Sequence, residues 1–482
     1  MNYRMIKYIT GWLLIFEALF MAVPAITALV YRESELWYFL MVMGGSLLVG
    51  GLMIFRKPLS TTLYAKEGFV IVALSWIVLS LVGALPFFIS GSIPNYVDAL
   101  FETVSGFTTT GASILTAVEP LPKSMLMWRS FTHWVGGMGV LVFIIAFLPL
   151  SGAKNMHIMK AESPGPTVGK LVPKVRTTAL ILYSIYTALT LIQFLLLICG
   201  GMPVFDALNA SFATAGTGGF GIKANSFASY STYSQIIVTI FMLLFSLNFN
   251  SYFLLLCGRV KEAFNTEIKV FIGIVVAAII LVTLNVYFTV SAACDYTFGE
   301  ALKHSAFSVA SVISTTGFAT AYFNYWPAFS QGILVLLMFI GACAGSTGGG
   351  IKVSRIVVLY KGATHEMKRL LHPKQVKKIT VDGNVVEHEV VRGINAYMVA
   401  YFLIFIVSFL LISFDCQDFT TNFTAVAATF NNIGPGMSLV GPDGGFGFYS
   451  VFSKLVFIFD MLAGRLEIFP MLLLFSTKTW RK

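Results

Sequence analysis

Apolar runs long enough to cross a membrane recur along the entire chain. Residues 68–89, 234–257 and 270–290 are each near the ~20 residues that an apolar helix needs to span ~30 Å of hydrocarbon. Charged residues make up only 11% of the 482, against about 25% in soluble domains. Soluble domains of that total length could not be covered with so little charge, and the chain reads as a polytopic membrane protein. Ten full spans are expected, near 9–31, 37–55, 68–89, 124–150, 178–199, 234–257, 270–290, 331–360 (interrupted), 393–414 and 451–477. The first is too long for the apolar core of a signal peptide, and no small-residue cleavage site follows it, which makes it a retained span. The five cysteines are scattered, mostly within apolar runs and without metal spacing, as small core residues are.

The net charge is +10. With the N-terminus inside, the inner segments hold 25 of the 32 Lys and Arg, and the outer segments hold six: Arg32, Lys123, Arg129, Lys223, Lys303 and Lys454. Arg465 alone remains within a span. This asymmetry puts both termini in the cytoplasm and assigns the basicity to a membrane face, not to a nucleic-acid partner. The outer segments are acidic, with Asp98, Glu102, Glu119, Asp206, Asp295 and Asp443 among them. An acidic entrance would concentrate cations; ordinary solvated loops account for the same residues equally well.

After the first two spans a unit of roughly 100 residues recurs. Each unit holds a long apolar span, a short semi-polar segment, a glycine-bearing stretch and another long span. The short segments begin alike, at Asp98-Ala99-Leu100, Asp206-Ala207-Leu208 and Glu300-Ala301-Leu302, with a looser fourth near Asp418. They run into Thr108-Thr109-Thr110-Gly111-Ala112-Ser113, Thr214-Ala215-Gly216-Thr217-Gly218-Gly219-Phe220, Ser314-Thr315-Thr316-Gly317-Phe318 and Asn431-Asn432-Ile433-Gly434-Pro435-Gly436. The short segments cannot span. Glycine costs ~1 kcal/mol against alanine inside a helix, and non-helical backbone at membrane depth must be buried in protein or line water. A short helix entering from outside and an extended return strand satisfy both limits. Four such elements on one axis make a pore, where glycine frees carbonyl oxygens to face an ion and helix C-termini point negative ends toward it.

At these residues the sequence resembles the TrkH/KtrB superfamily of potassium-transporting membrane subunits, and its two extra N-terminal spans place the likeness on the TrkH side. The resemblance covers essentially the whole chain. It implies an all-α polytopic fold in which four helix–pore-helix–helix repeats surround one ion pore, with one pore per protomer of a homodimer. The expected division is 1–60 for the two extra spans, 61–152, 153–258 and 259–365 for the first three repeats, 366–391 for a cytoplasmic linker and 392–482 for the fourth. The resemblance makes Gly111, Gly218, Gly317 and Gly434 the filter glycines, with Thr109, Thr110, Thr217, Thr316, Asn432 and Ile433 completing a K+ site. Relatives with Ser at the first position tend to pass Na+, and Gly111 here favours K+. Gly216 departs from the pattern and is expected to loosen the second strand. Each strand offers fewer carbonyl layers than a Thr-Val-Gly-Tyr-Gly filter, so discrimination against Na+ is expected to be incomplete. The resemblance further implies a prokaryotic inner-membrane location and a cytosolic TrkA-type partner that carries the nucleotide, docking on the basic inner face. That same face also suits anionic membrane lipids.

The stretch from Gly341 to Lys352 interrupts an apolar run with Gly345, Ser346, Thr347, Gly348, Gly349 and Gly350. It is not a phosphate loop, because Ile351 separates Gly350 from Lys352. It reads as a broken helix whose intramembrane loop is a gate, placed by the resemblance just below the filter. A charge at the depth of Arg465 costs at least ~2.5–3.5 kcal/mol on insertion scales unless paired or hydrated. Resemblance sets Arg465 facing the ion path beside the loop, where it repels cations or pins loop carbonyls; a structural pair with Asp460 or Glu467 is the alternative. The six histidines show no metal spacing, and His365, His372 and His388 lie in a basic segment where Asp382-Gly383-Asn384 suggests a small hairpin. No clustered catalytic set supports an enzyme. A coupled carrier of K+ with H+ or Na+ is the main rival, and its relay carboxylates would be Glu17, Asp460 or Glu467.

Overall fold

The computed structural model describes residues 1–56, 58, 65–139, 175–294, 296–372 and 378–480. The second half of the expected span 124–150, the boundaries at 60/61 and 152/153, His157 and Asp295 lie outside these residues. So do Lys57, Lys154, Lys160, Lys170, Lys174, Lys374, Lys377, Arg481 and Lys482, all expected on the inner face.

The chain is almost entirely helical. Tyr3–Phe20 and Ala22–Tyr31 form one span interrupted at Met21, three residues before Pro24, whose ring removes a helical N–H. Leu36–Ile54 packs on it through small residues. A Cβ on Gly11 would meet Ile54 and Met53, and one on Gly50 would meet the Gly11 carbonyl, which is how helices approach closely in lipid. Among the described residues, six helices are long and apolar enough to cross a membrane, and their outer faces are apolar and exposed, as at Leu52, Phe288 and Ile406.

Each of the four expected units opens on one long helix: Ala65–Gly83, Val175–Cys199, Thr266–Cys294 and His388–Ile412. Each then has a short helix: Tyr96–Phe107, Val204–Gly216, Phe298–Ile313 and Phe419–Phe430. Their starts are legible in side chains. Asn95, Thr297 and Asp418 cap three of them through side-chain oxygens, Thr297 within a reciprocal box with Glu300. Asp98, Asp206 and Glu300 stand in first turns, where an anion meets the positive helix end.

The second long helices differ from the expectation of one interruption. The third breaks as expected between Ala328–Ile340 and Val353–Leu371. The run 234–257 is also broken, into Thr232–Phe245 and Phe249–Leu256 with a 91° bend. The run 451–477 divides into Val451–Arg465 and Phe469–Phe475. Asn248 caps the restart in the second unit, while Glu467 and Ile468 take positive φ of 62° and 67° ahead of Pro470 in the fourth. Hydropathy alone reads through such breaks because their flanks stay apolar. In the segment expected to be a cytoplasmic linker, Thr380–Val381 pairs antiparallel with Asn384–Val385 across Asp382 and Gly383, both at positive φ.

Candidate functional site

The four short helices end in the same way. In each, one amide bonds back to the carbonyl three residues before it, and the next amide to the carbonyl five residues before. The pairs are Thr109 to Gly106 with Thr110 to Ser105, Thr217 to Thr214 with Gly218 to Ala213, Thr315 to Val312 with Thr316 to Ser311, and Asn432 to Thr429 with Ile433 to Ala428. This is the Schellman arrangement, in which the first of the two residues is left-handed and usually glycine. Here it is Thr109, Thr217, Thr315 and Asn432, at φ of 57°, 56°, 59° and 56°. A β-branched residue in that region is strained by about 1–3 kcal/mol. Two residues later comes a glycine at positive φ: Gly111, Gly219, Gly317 and Gly434.

That register corrects one expected residue. The glycine equivalent to Gly111, Gly317 and Gly434 is Gly219; Gly218 is equivalent to Thr110, Thr316 and Ile433. The extra glycines made the count ambiguous, although the shared Gly-Phe pairs at 219–220 and 317–318 carry the true register. Thr315, absent from the expected set, belongs with Thr109, Thr217 and Asn432. Gly216 is the last residue of its helix and no part of the strand.

The corners close on one another in a cycle. A Cβ on Gly111 would run into the Gly218 carbonyl oxygen, one on Gly219 into Thr316 O, one on Gly317 into Ile433 O, and one on Gly434 into Thr110 O. Each glycine thus admits the backbone of the next unit, and the fourth returns to the first. A second tier of contacts follows the same order. Glu119 accepts from the Ala224 amide at 2.6 Å, Phe227 N donates to Ala319 O at 2.9 Å, Asn324 Nδ2 donates to Ser438 O at 3.1 Å, and Phe446 N donates to Ser113 O at 2.8 Å. The Ala224 bond holds the Glu119 carboxyl below the usual carboxylate range. A cavity of about 280 Å³ lies against this ring and is lined by Gly111, Gly219, Gly317 and Gly434 together.

The charged residues lining that cavity are Arg129, Lys223 and Asp443, so it is not an acidic funnel. Most of the carboxylates expected on the outer side hold structure instead. Glu33 accepts from the Lys123 and Ser124 amides, Asp206 from the Tyr230 hydroxyl and Asp415 from the Ser450 amide. Asp98 and Glu102 are paired with Lys454 and Arg129 at 2.7 Å. Arg465 is therefore not the sole basic residue within the protein body: Arg129, Lys352, Arg355 and Lys454 are all at most 6% exposed. The carboxylates that pair with Arg355 and Lys454, Glu467 and Asp98, lie 112 and 356 residues away, beyond the reach of segment-by-segment charge counting. Buried carboxylates likewise extend beyond Glu17 and Asp460 to Glu67, Glu102 and Glu267.

The loop between Gly341 and Lys352 lies directly against the ends of the third and fourth short helices. A Cβ on Gly348 would meet Ser314 O and one on Gly349 would meet Asn431 O, while the Gly349 amide donates to Thr315 Oγ1 at 2.7 Å. Arg465 donates through Nη1 to Thr347 O at 2.7 Å and through Nη2 to Gly136 O and Gly137 O at 2.5 and 2.7 Å. The expected alternative pairing with Asp460 or Glu467 is not what the structure has: Ser408 donates to Asp460 at 2.6 Å, and Arg355 pairs with Glu467. Lys352 Nζ donates to Gly348 O. Glu267, which sequence reasoning passed over, accepts the Ala344 amide at 2.6 Å and the Ser354 amide at 3.1 Å, gripping both ends of the loop with one carboxylate.

The TrkH family profile, described as a cation transport protein, matches residues 39–482. The chain is 37% identical over 490 residues to the Trk system potassium uptake protein TrkH of Escherichia coli strain K12, with all of both chains covered. It is 31% identical over 484 residues to TrkG of the same organism, with 99% of each covered. The crystal structure of the potassium transporter TrkH from Vibrio parahaemolyticus matches it with a TM-score of 0.89 at 35% identity over the full length of both chains. A multi-pass membrane architecture, four like corners closed into one ring and these full-length similarities agree: this chain belongs to the TrkH family of cation transport proteins.

Proposed function

We propose that this chain takes up K+ across a prokaryotic inner membrane through a gated pore, with the four-corner ring as its filter. The observation that carries the reading is the closed cycle in which each turn glycine receives the next unit's backbone. Such a ring offers carbonyl oxygens in place of a hydration shell, and four helix C-termini add negative potential. The loop around Gly345–Gly350 and Arg465 forms the barrier. Homodimerisation, inward-facing termini, bound anionic lipid and a TrkA-type cytosolic subunit carrying the nucleotide belong to the same proposal.

The test is the reversal potential of the purified protein in liposomes with K+ on one side and Na+ on the other. A potential that follows the K+ gradient and ignores a pH step supports the passive pore. A pH-dependent potential overturns it in favour of coupled transport. Glu17 and Asp460, whose carboxylate oxygens include unpartnered atoms among the described residues, would then be the relay candidates. Deleting three residues within 345–350 is expected to leave a leaky pore, and unchanged flux would remove the gate role.

A further inference from the structure

Three of the four corners carry a side chain just before the turn glycine: Thr110, Thr316 and Ile433. The second carries Gly218. Its reason lies on the preceding unit. His133, fully buried on the helix Lys123–Gly137, puts its ring where a Cβ of Gly218 would stand, and the three atoms that Cβ would meet first are His133 Nδ1, Cγ and Cε1. The ring is held at both nitrogens. The Phe220 amide is 3.2 Å from Nε2 and can only donate, so Nε2 accepts and the ring proton sits on Nδ1. Nδ1 then donates to the Gly106 carbonyl at 2.8 Å. The imidazole also packs on the Phe220 ring at 4.3 Å between centroids. It therefore joins the end of the first short helix to the strand that follows the second.

We infer that His133 is the missing side chain of the second corner. As a positioning residue supplied by the first unit, it wedges behind Gly218, fixes the backbone of Gly218-Gly219-Phe220 and so sets the K+/Na+ discrimination of the ring. The inference rests on the ring being the selectivity filter. An apolar side chain of the same size would fill the space but leave the Phe220 amide and the Gly106 carbonyl unpaired; a neutral imidazole fills it and satisfies both.

The test reads the K+/Na+ permeability ratio from reversal potentials in liposomes for His133→Ala, Gly218→Thr, the double variant and Gly434→Ser. His133→Ala is expected to lower the ratio by about fivefold or more, the effect of one to two kcal/mol. Gly218→Thr alone is expected to lower it too, because threonine and imidazole compete for one space. Combining them gives the second corner the residue type of the first and third, and most of the ratio is expected to return. A parental ratio in His133→Ala, or a loss in it that Gly218→Thr does not rescue, overturns the inference. Should His133→Ala fail to reach the membrane, recovery of assembly in the double variant supports the inference, and a parental ratio in Gly218→Thr alone overturns it. An unchanged ratio in Gly434→Ser overturns the filter reading itself and this inference with it. A changed ratio there beside an unchanged His133→Ala overturns this inference alone.

Discussion

The ring and the loop beside it are built on opposite plans. The ring is made of backbone against backbone, repeated four times, each glycine receiving the carbonyl of the next unit. The loop exists once, and side chains from several places hold it: Glu267 at both ends, Lys352 on Gly348, Arg465 on Thr347 and Thr315 on Gly349. No side-chain truncation removes a backbone contact outright, so the ring's own contacts are broken by adding atoms, and truncation reaches them only through a supporting side chain such as His133. The loop is freed by deleting them. A fourfold, closed set of contacts suits a part whose geometry must not vary, and a single-copy set of removable tethers suits a part that must move.

The largest expected effect comes from adding one methyl to the ring. A Cβ at Gly317 would collide with Ile433 O and crowd Pro435, at a φ of +83° that disfavours any side chain. Gly317→Ala is expected to cut K+ uptake by about a hundredfold, the equivalent of ~2.7 kcal/mol, at normal membrane levels. Uptake in cells lacking other K+ importers measures this. Near-parental uptake would mean that the ring tolerates added atoms, and the contrast with the loop would fail.

Deletion in the loop comes next. Among the described residues, Arg465 makes three charge-assisted hydrogen bonds to carbonyls of two separate segments, each worth about 1.5–3 kcal/mol net. Arg465→Ala is expected to raise basal K+ flux in liposomes about tenfold. Arg465→Lys should fall between, since an ammonium lacks the planar fork that reaches several acceptors at once. Flux at the parental level in both would detach Arg465 from the barrier.

Glu267 should show a smaller effect of the same sign. Its carboxylate receives one amide from the start of the loop and one from the first turn of the helix that resumes after it. Glu267→Ala is expected to raise basal flux about fivefold and Glu267→Gln, which keeps an acceptor oxygen, about twofold. The order of the two variants is the sharper measurement: equal leak would mean that the acceptor, the basis of the grip, does not matter.

The two regions also differ in how far they could be read from sequence. The four corners were legible because glycine-bearing stretches recur in all four units and acidic starts in three, yet the second slipped by one residue where Gly216, Gly218 and Gly219 crowd together. The broken helix of the third unit was legible from its glycines. The breaks after Phe245 and Arg465 were not, since apolar flanks hide a change of direction, although Asn248 and Pro470 mark the restarts. The tethers were least legible of all. Glu267 and Ala344 are 77 residues apart, and Lys454 and Asp98 are 356 apart. Only packing of the units brings such pairs together, and no local spacing encodes it.

Among the variants that remove a loop acceptor outright, the smallest expected effect tests a hydrogen bond that links the two plans. Thr315 is the left-handed corner of the third unit, and its hydroxyl accepts the Gly349 amide at 2.7 Å. Thr315→Val keeps the β-branched shape that the corner already accommodates and removes only the acceptor. One neutral hydrogen bond is worth about 0.5–1.5 kcal/mol net, so basal flux is expected to rise about threefold while the K+/Na+ reversal potential stays at the parental value. A shift in that potential would show that the tether also shapes the ring, and the two regions would then be one mechanical unit. A leak without a shift keeps them separate: a fixed corner whose hydroxyl restrains a movable neighbour.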